Sequence, residues 1–89
     1  MRRFAFTVHG RVQGVGYRQF AARAATEQAV TGWVRNEPDG TVCGEVEGEV
    51  AAVDAFLDQL RQGPRWGKVR LLESAPIELR GGAEFEVLF

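Results

Sequence analysis

The hydrophobic pattern of this chain switches repeatedly between a period of two and a period of 3.6, and the order of those switches leaves few folds open. Phe4, Phe6 and Val8 alternate with Ala5, Thr7 and His9, as in a half-buried strand. From Arg18 to Gln28, Phe20, Ala21, Ala24 and Ala25 recur at helical spacing, in a segment whose alanines favour helix intrinsically. Thr31 to Asn36 is extended again, and Glu37-Pro38-Asp39-Gly40 reads as a turn. Thr41 to Glu47 places Val42, Gly44 and Val46 on one face and Cys43, Glu45 and Glu47 on the other, so the turn predicts a hairpin. Val50, Val53, Phe56, Leu57 and Leu60 then form an apolar stripe on a helix over 50–62, stopped by Gly63-Pro64. A fourth strand falls within 68–79, and a short last strand over 84–89 follows Gly81-Gly82.

The order is β-α-β-β-α-β with a terminal strand. Two helices with one apolar stripe each have to cover one face of one sheet, which predicts an α+β two-layer sandwich of the ferredoxin-like type with a mainly antiparallel sheet. Right-handed crossovers put the third strand between the first and second. The first two strands then run the same way. The loop after Val8 and the end of the second strand meet at one rim, roughly 9–10 Å apart.

With 89 residues the chain reads as a single domain over 1–89. A chain of this size buries roughly 60–65% of its unfolded surface. Cys43 is the only cysteine, so no internal disulfide supports the core, and no Cys/His set has metal-ligand spacing. A net charge of −1 with interspersed signs gives no nucleic-acid or membrane face. An RNA-binding sheet would present stacked aromatics on a central strand, and Thr41 to Glu47 has none. No signal-peptide run follows Arg2-Arg3, and no stretch approaches the roughly 20 apolar residues of a membrane span. A cytoplasmic monomer without cofactor or metal is the expectation.

The chemistry concentrates in Gly10-Arg11-Val12-Gln13-Gly14-Val15-Gly16-Tyr17-Arg18, which joins a strand to a helix N-terminus. Successive N–H groups in such a turn can converge on an anion, and the helix start adds unpaired donors and partial positive charge. Gly14 and Gly16 permit left-handed backbone angles. Arg18, in the first turn, can pair with two phosphate oxygens at once. The segment is not a dinucleotide fingerprint, because Gln19 stands where the third glycine belongs, and no Gly-Lys-Ser/Thr follows to make a P-loop. On these residues alone, a glycine-rich connector carrying a solvated arginine is an equal reading.

Two spaced motifs separate the alternatives. Val12-Gln13-Gly14-Val15-Gly16-Tyr17-Arg18 resembles the acylphosphatase signature, and Gly32-Trp33-Val34-Arg35-Asn36 resembles the second motif of that family. Pro38 to Val42, Gly48, the Val53–Phe56 helix, Gly63-Pro64 and Phe85 also fit the family pattern. The resemblance implies an enzyme that hydrolyses acyl phosphates to carboxylate and inorganic phosphate, with phosphate also a competitive inhibitor. It implies a phosphate cradle from the amides of Gly14, Val15, Gly16, Tyr17 and Arg18, a phosphate-binding side chain at Arg18, and a water-orienting carboxamide at Asn36. Gly16 at the variable position and Tyr17 in place of a common Phe are the departures.

Such a reaction needs little from side chains. The leaving carboxylate has a conjugate acid with a pKa of roughly 4, so no general acid is required. Positioning and charge stabilisation suffice. His9, at a strand end with no evident carboxylate partner, and Cys43, with no evident base, are therefore read as non-catalytic. Trp33 is read as packing, and Glu45 and Glu47 as a solvated outer sheet face.

Overall fold

The structure, a computed structural model, describes residues 1–89. The elements are β1 (Arg2–Arg11), α1 (Tyr17–Gln28), β2 (Thr31–Asn36), β3 (Val42–Gly48), α2 (Val50–Gln62), β4 (Lys68–Ile77) and β5 (Phe85–Leu88). They form one sheet in the order β4-β1-β3-β2-β5. β1 is antiparallel to β3 and β4, β2 is antiparallel to β3, and β2 pairs in parallel with β5. This is the expected ferredoxin-like α+β sandwich, with β3 between β1 and β2. Val8 pairs with Val42 and Val42 with Asn36, so a single row across the sheet carries the end of the expected first strand to the end of β2.

β1 runs longer than its alternating pattern, which breaks at Gly10. Pairing with β4 continues through a register shift between His9 and Gly10, where Gly10 pairs with Val69 and Arg11 with Lys68. Gly10 has φ of 132°, and a Cβ there would lie 2.1 Å from the Lys68 carbonyl oxygen. The bulge thus needs a residue without a side chain.

The core lies between the sheet and the two helices. Phe6, Val8, Val34, Val42 and Val46 contribute from the strands, Ala21, Ala24 and Ala25 from α1, and Val53, Phe56, Leu57 and Leu60 from α2. Phe56 packs edge-on against Phe6, with ring centres 6.0 Å apart, and at a tilt against Phe85, with centres 5.5 Å apart. Burying a side chain of this size contributes about 1.5–3 kcal/mol. Two stripe residues sit differently from expectation. Val50, in the first turn of α2, is half exposed, and Phe20 is only partly buried. Tyr17 takes the core position at the head of α1, its ring 5.8 Å from that of Phe20.

The outer sheet face departs most from the sequence reading. Glu45 and Glu47 are not solvated: Glu47 is 5% exposed and Glu45 13%. Arg3, itself buried, donates from Nε to Glu45 at 2.8 Å and from Nη1 to Glu47 at 3.0 Å. The segment after β4 doubles back over this face, and the Arg80 and Gly81 amides donate to Glu47 at 2.8 and 3.0 Å. Those amides, the Arg80 N–H foremost, together with the Arg3 guanidinium hold the Glu47 carboxyl below the ordinary glutamate range. Alternation along β3 showed which residues share a face, but not that a distant segment would cover it.

Candidate active site

β1 ends at Arg11 and α1 begins at Tyr17, leaving a short loop to turn the chain. Gly14 has φ of 73° and Gly16 of 77°, while Val15 between them is not left-handed. Space does not require either glycine, since a Cβ on each would meet nothing within 4 Å. The backbone angle does. Alternating handedness turns successive N–H groups toward one concavity. Gly16 precedes the first helical residue, no side chain caps the helix, and its first turn has no acidic residue. Phe20, whose N–H bonds to the Gly16 carbonyl at 3.0 Å, is the first donor of the helix to be satisfied. The N–H groups from Gly14 to Gln19 have no acceptor within the protein, so this end keeps its donors and its positive pole free for an anion.

Those donors open into a cleft of about 130 Å³ lined by Val12, Gly14, Gly16, Tyr17, Arg18, Gln19 and Asn36. A single water needs only ~10–15 Å³ by a comparable measure, so there is room for an oxyanion and a water together. Of the residues singled out in the sequence, Gly14, Gly16, Tyr17, Arg18 and Asn36 meet here. Val15 does not line the cleft; its side chain packs against the core. Tyr17 reaches the cleft through its backbone, because its ring is buried and its hydroxyl donates to the Leu60 carbonyl at 2.7 Å. Burial pushes that phenol far above its ordinary value, so it stays neutral.

Arg18 is held from a direction the sequence did not show. Its Nη1 donates to the Leu88 carbonyl at 2.7 Å, and its guanidinium lies 4.7 Å from the centre of the Phe89 ring. Leu88 pairs with Arg35, the residue before Asn36, so β5 delivers this anchor to the same rim. A guanidinium has five N–H donors, and the others remain for a ligand. Asn36 closes β2 half-buried, and its carboxamide makes no hydrogen bond within the protein and is not sealed off in the interior. Gln13, part of the motif but given no role from sequence, donates from Nε2 to the Glu37 carbonyl at 2.8 Å and to the Thr41 carbonyl at 2.9 Å.

The remaining candidates lie elsewhere. His9 does have a carboxylate partner, Glu73 of β4, with Nε2 and Oε1 2.6 Å apart. The sequence concealed the pair because it is made across strands. His9 lines a separate polar cleft with Gly10, Asp39, Gly40, Thr41 and Arg70. Cys43 sits beside Arg35 and Glu37, and burial, then the Glu37 carboxylate, raises its thiol pKa, the opposite of nucleophile activation. Trp33 lies outside the cleft, with the Arg35 guanidinium 5.1 Å from its ring centre. No three His, Cys, Asp or Glu side chains converge as a cation site, and no helix is long and apolar enough to cross a membrane.

A ferredoxin-like sandwich with an uncapped helix N-terminus beside an arginine at its sheet rim has the donors and the positive pole that suit an oxyanion. Comparison with known proteins narrows the class. The acylphosphatase family model matches residues 4–87. An acylphosphatase of Oceanobacillus iheyensis is 50% identical over 74 residues, covering 82% of this chain and 81% of its own length. One of Methylococcus capsulatus is 47% identical over 89 residues, covering 99% and 97%. The crystal structure of acylphosphatase from Bacillus subtilis superposes with a TM-score of 0.97 at 32% identity, over 100% of both chains. The chain belongs to the acylphosphatase family, enzymes that hydrolyse the carboxyl–phosphate bond of acyl phosphates.

Proposed function

We propose that the cleft between the Gly14–Arg18 loop and Asn36 is where this chain hydrolyses its acyl phosphate. The observation that carries the assignment is the convergence of unsatisfied main-chain donors, Arg18 and an unbonded carboxamide on one cleft. The amides of Gly14, Gly16, Tyr17 and Arg18, all cleft-lining residues, receive the phosphoryl oxygens; the Val15 amide, unpaired in the protein although its side chain packs away from the cleft, turns in with them as the oxyanion seats, and the Arg18 guanidinium neutralises the charge spread over the oxygens. Asn36 accepts a hydrogen bond from the attacking water and donates one to an oxygen, which fixes the direction of attack. The water oxygen bonds to phosphorus as the bond from phosphorus to the acyl oxygen breaks. The carboxylate leaves with the electron pair, and the water proton passes to a phosphoryl oxygen. A carboxylate leaves without protonation, so neither His9 nor Cys43 has a part to play.

Inorganic phosphate shares the cradle and competes with substrate. The acyl group lies outside the cleft, and a range of acyl phosphates is accepted. The protein works as a cytoplasmic monomer, residues 1–89 forming one catalytic domain with no nucleic-acid, membrane or cofactor requirement.

Hydrolysis of benzoyl phosphate, with inorganic phosphate as competitor, tests the assignment. Arg18→Ala is expected to lower turnover on the order of 10²–10³-fold or more and to raise the phosphate inhibition constant, since it removes a preorganised donor. Asn36→Ala is expected to abolish turnover while phosphate still binds. Phosphate affinity lost with Asn36, or turnover retained without it, would reject the assigned role.

A further inference from the structure

Gln13 lies in the loop but is not among the groups that meet phosphate or water in the reading above. Its side chain turns from the cradle toward the hairpin that carries Asn36. The two carbonyls it bonds, Glu37 and Thr41, stand at the two ends of the β2–β3 turn. The Glu37 N–H also donates to the Thr41 carbonyl at 2.9 Å, and the Gly40 N–H to the Glu37 carbonyl at 3.1 Å. Both protons of one carboxamide thus clamp the mouth of the hairpin. One end of the clamp is the residue preceding Gly14; the other is the residue following Asn36. The other side-chain bonds of the loop region lead away, from Tyr17 to α2 and from Arg18 to β5.

We propose that Gln13 is a positioning residue that sets the separation between the phosphate cradle and Asn36. The inference rests on the roles assigned to Arg18 and Asn36 above. The chemistry suits an amide: two carbonyl acceptors need two N–H donors from one atom, which Glu lacks and Ala cannot offer. The main-chain ladder does not do this work, because Gly14 to Gly16 lie outside any strand and the row Val8–Val42–Asn36 stops short of them. In-line attack depends on placement, and a misplacement of about 1 Å can lower a rate on the order of 10²-fold.

The test compares Gln13→Ala and Gln13→Glu with the unaltered protein in benzoyl phosphate hydrolysis, inhibition by inorganic phosphate and thermal unfolding. The expected result is a kcat reduced roughly 10–100-fold, with the phosphate inhibition constant within about twofold, because the cradle is intact and only the water is misplaced. An unchanged kcat below the unfolding temperature would make Gln13 a hairpin staple and overturn the inference. So would a parallel loss of kcat and phosphate affinity, which would assign it to the cradle itself. Loss of cooperative unfolding in both variants would also overturn it, placing Gln13 in the fold rather than in the geometry of attack. Asn36→Ala, measured alongside, separates this from the underlying reading: if that variant keeps its turnover, the role of Asn36 fails first.

Discussion

Tyr17 shows how closely a structural duty and a proposed functional one can share one residue. Its N–H is one of the unpaired donors at the head of α1 that the proposed cradle uses, while its hydroxyl satisfies one of the last carbonyls of α2, Leu60. Tyr17→Phe keeps the ring and the backbone and removes only that donor, leaving a buried carbonyl unpaired. The expected destabilisation is about 1–2 kcal/mol, read as a lower midpoint in urea, with kcat nearly unchanged. A large fall in kcat would show that the hydroxyl also governs the loop. The two glycines beside it illustrate a different constraint. Gly14 and Gly16 have open space where a Cβ would be and are held to type by their positive φ alone, a property the sequence marks clearly because few residues adopt it.

At the scale of elements, the segment after β4 stabilises the sheet by closing its outer face. Glu47 accepts from the Arg80 and Gly81 amides and from Arg3, and these bonds lower its pKa in the folded state. A carboxyl with a depressed folded pKa contributes stability that is fully present above its unfolded value, about 4.3, and is lost as pH falls through the folded value. Glu47→Gln is therefore expected to have a lower Tm than the unaltered protein at pH 7, with the gap narrowing as pH drops below about 4. Thermal melts of both proteins across that range check this, and a gap independent of pH would refute the linkage. The helices play a simpler part. α1 approaches the sheet closely because Ala21, Ala24 and Ala25 face it, and α2 fills the remaining width with Phe56, Leu57 and Leu60.

Across the whole molecule, the cleft is a product of topology. The loop before α1, the end of β2 and the end of β5 are separated in sequence and brought to one rim by the strand order β4-β1-β3-β2-β5. None of the groups assigned to the reaction needs to change protonation near neutrality: the amides and the Asn36 carboxamide do not titrate, and a guanidinium stays charged. Turnover is therefore expected to be nearly flat between about pH 5 and 7. A steep dependence with an apparent pKa near 6.5, the ordinary imidazole value, would draw His9 into the mechanism. Its place in another cleft, paired with Glu73, argues against that.

The sequence by itself determined the local and the periodic. Element order, the hairpin, the Gly14–Gly16 turn and the helix stop at Gly63 are set by side-chain spacing and backbone angles, interactions among near neighbours. The order of elements with right-handed crossovers then carries Asn36 to the same rim as the loop. Tertiary structure alone decided what depends on unrelated segments meeting. The anchor of Arg18 on Leu88 is made 70 residues away. The cover over Glu47 comes from Arg80 and Gly81, and the clamp of Gln13 reaches main-chain carbonyls that exist at every residue. A carbonyl acceptor has no side-chain identity, and a long connection leaves no period in the chain. Such contacts emerge only when the sheet has formed and each buried polar group has found its partner.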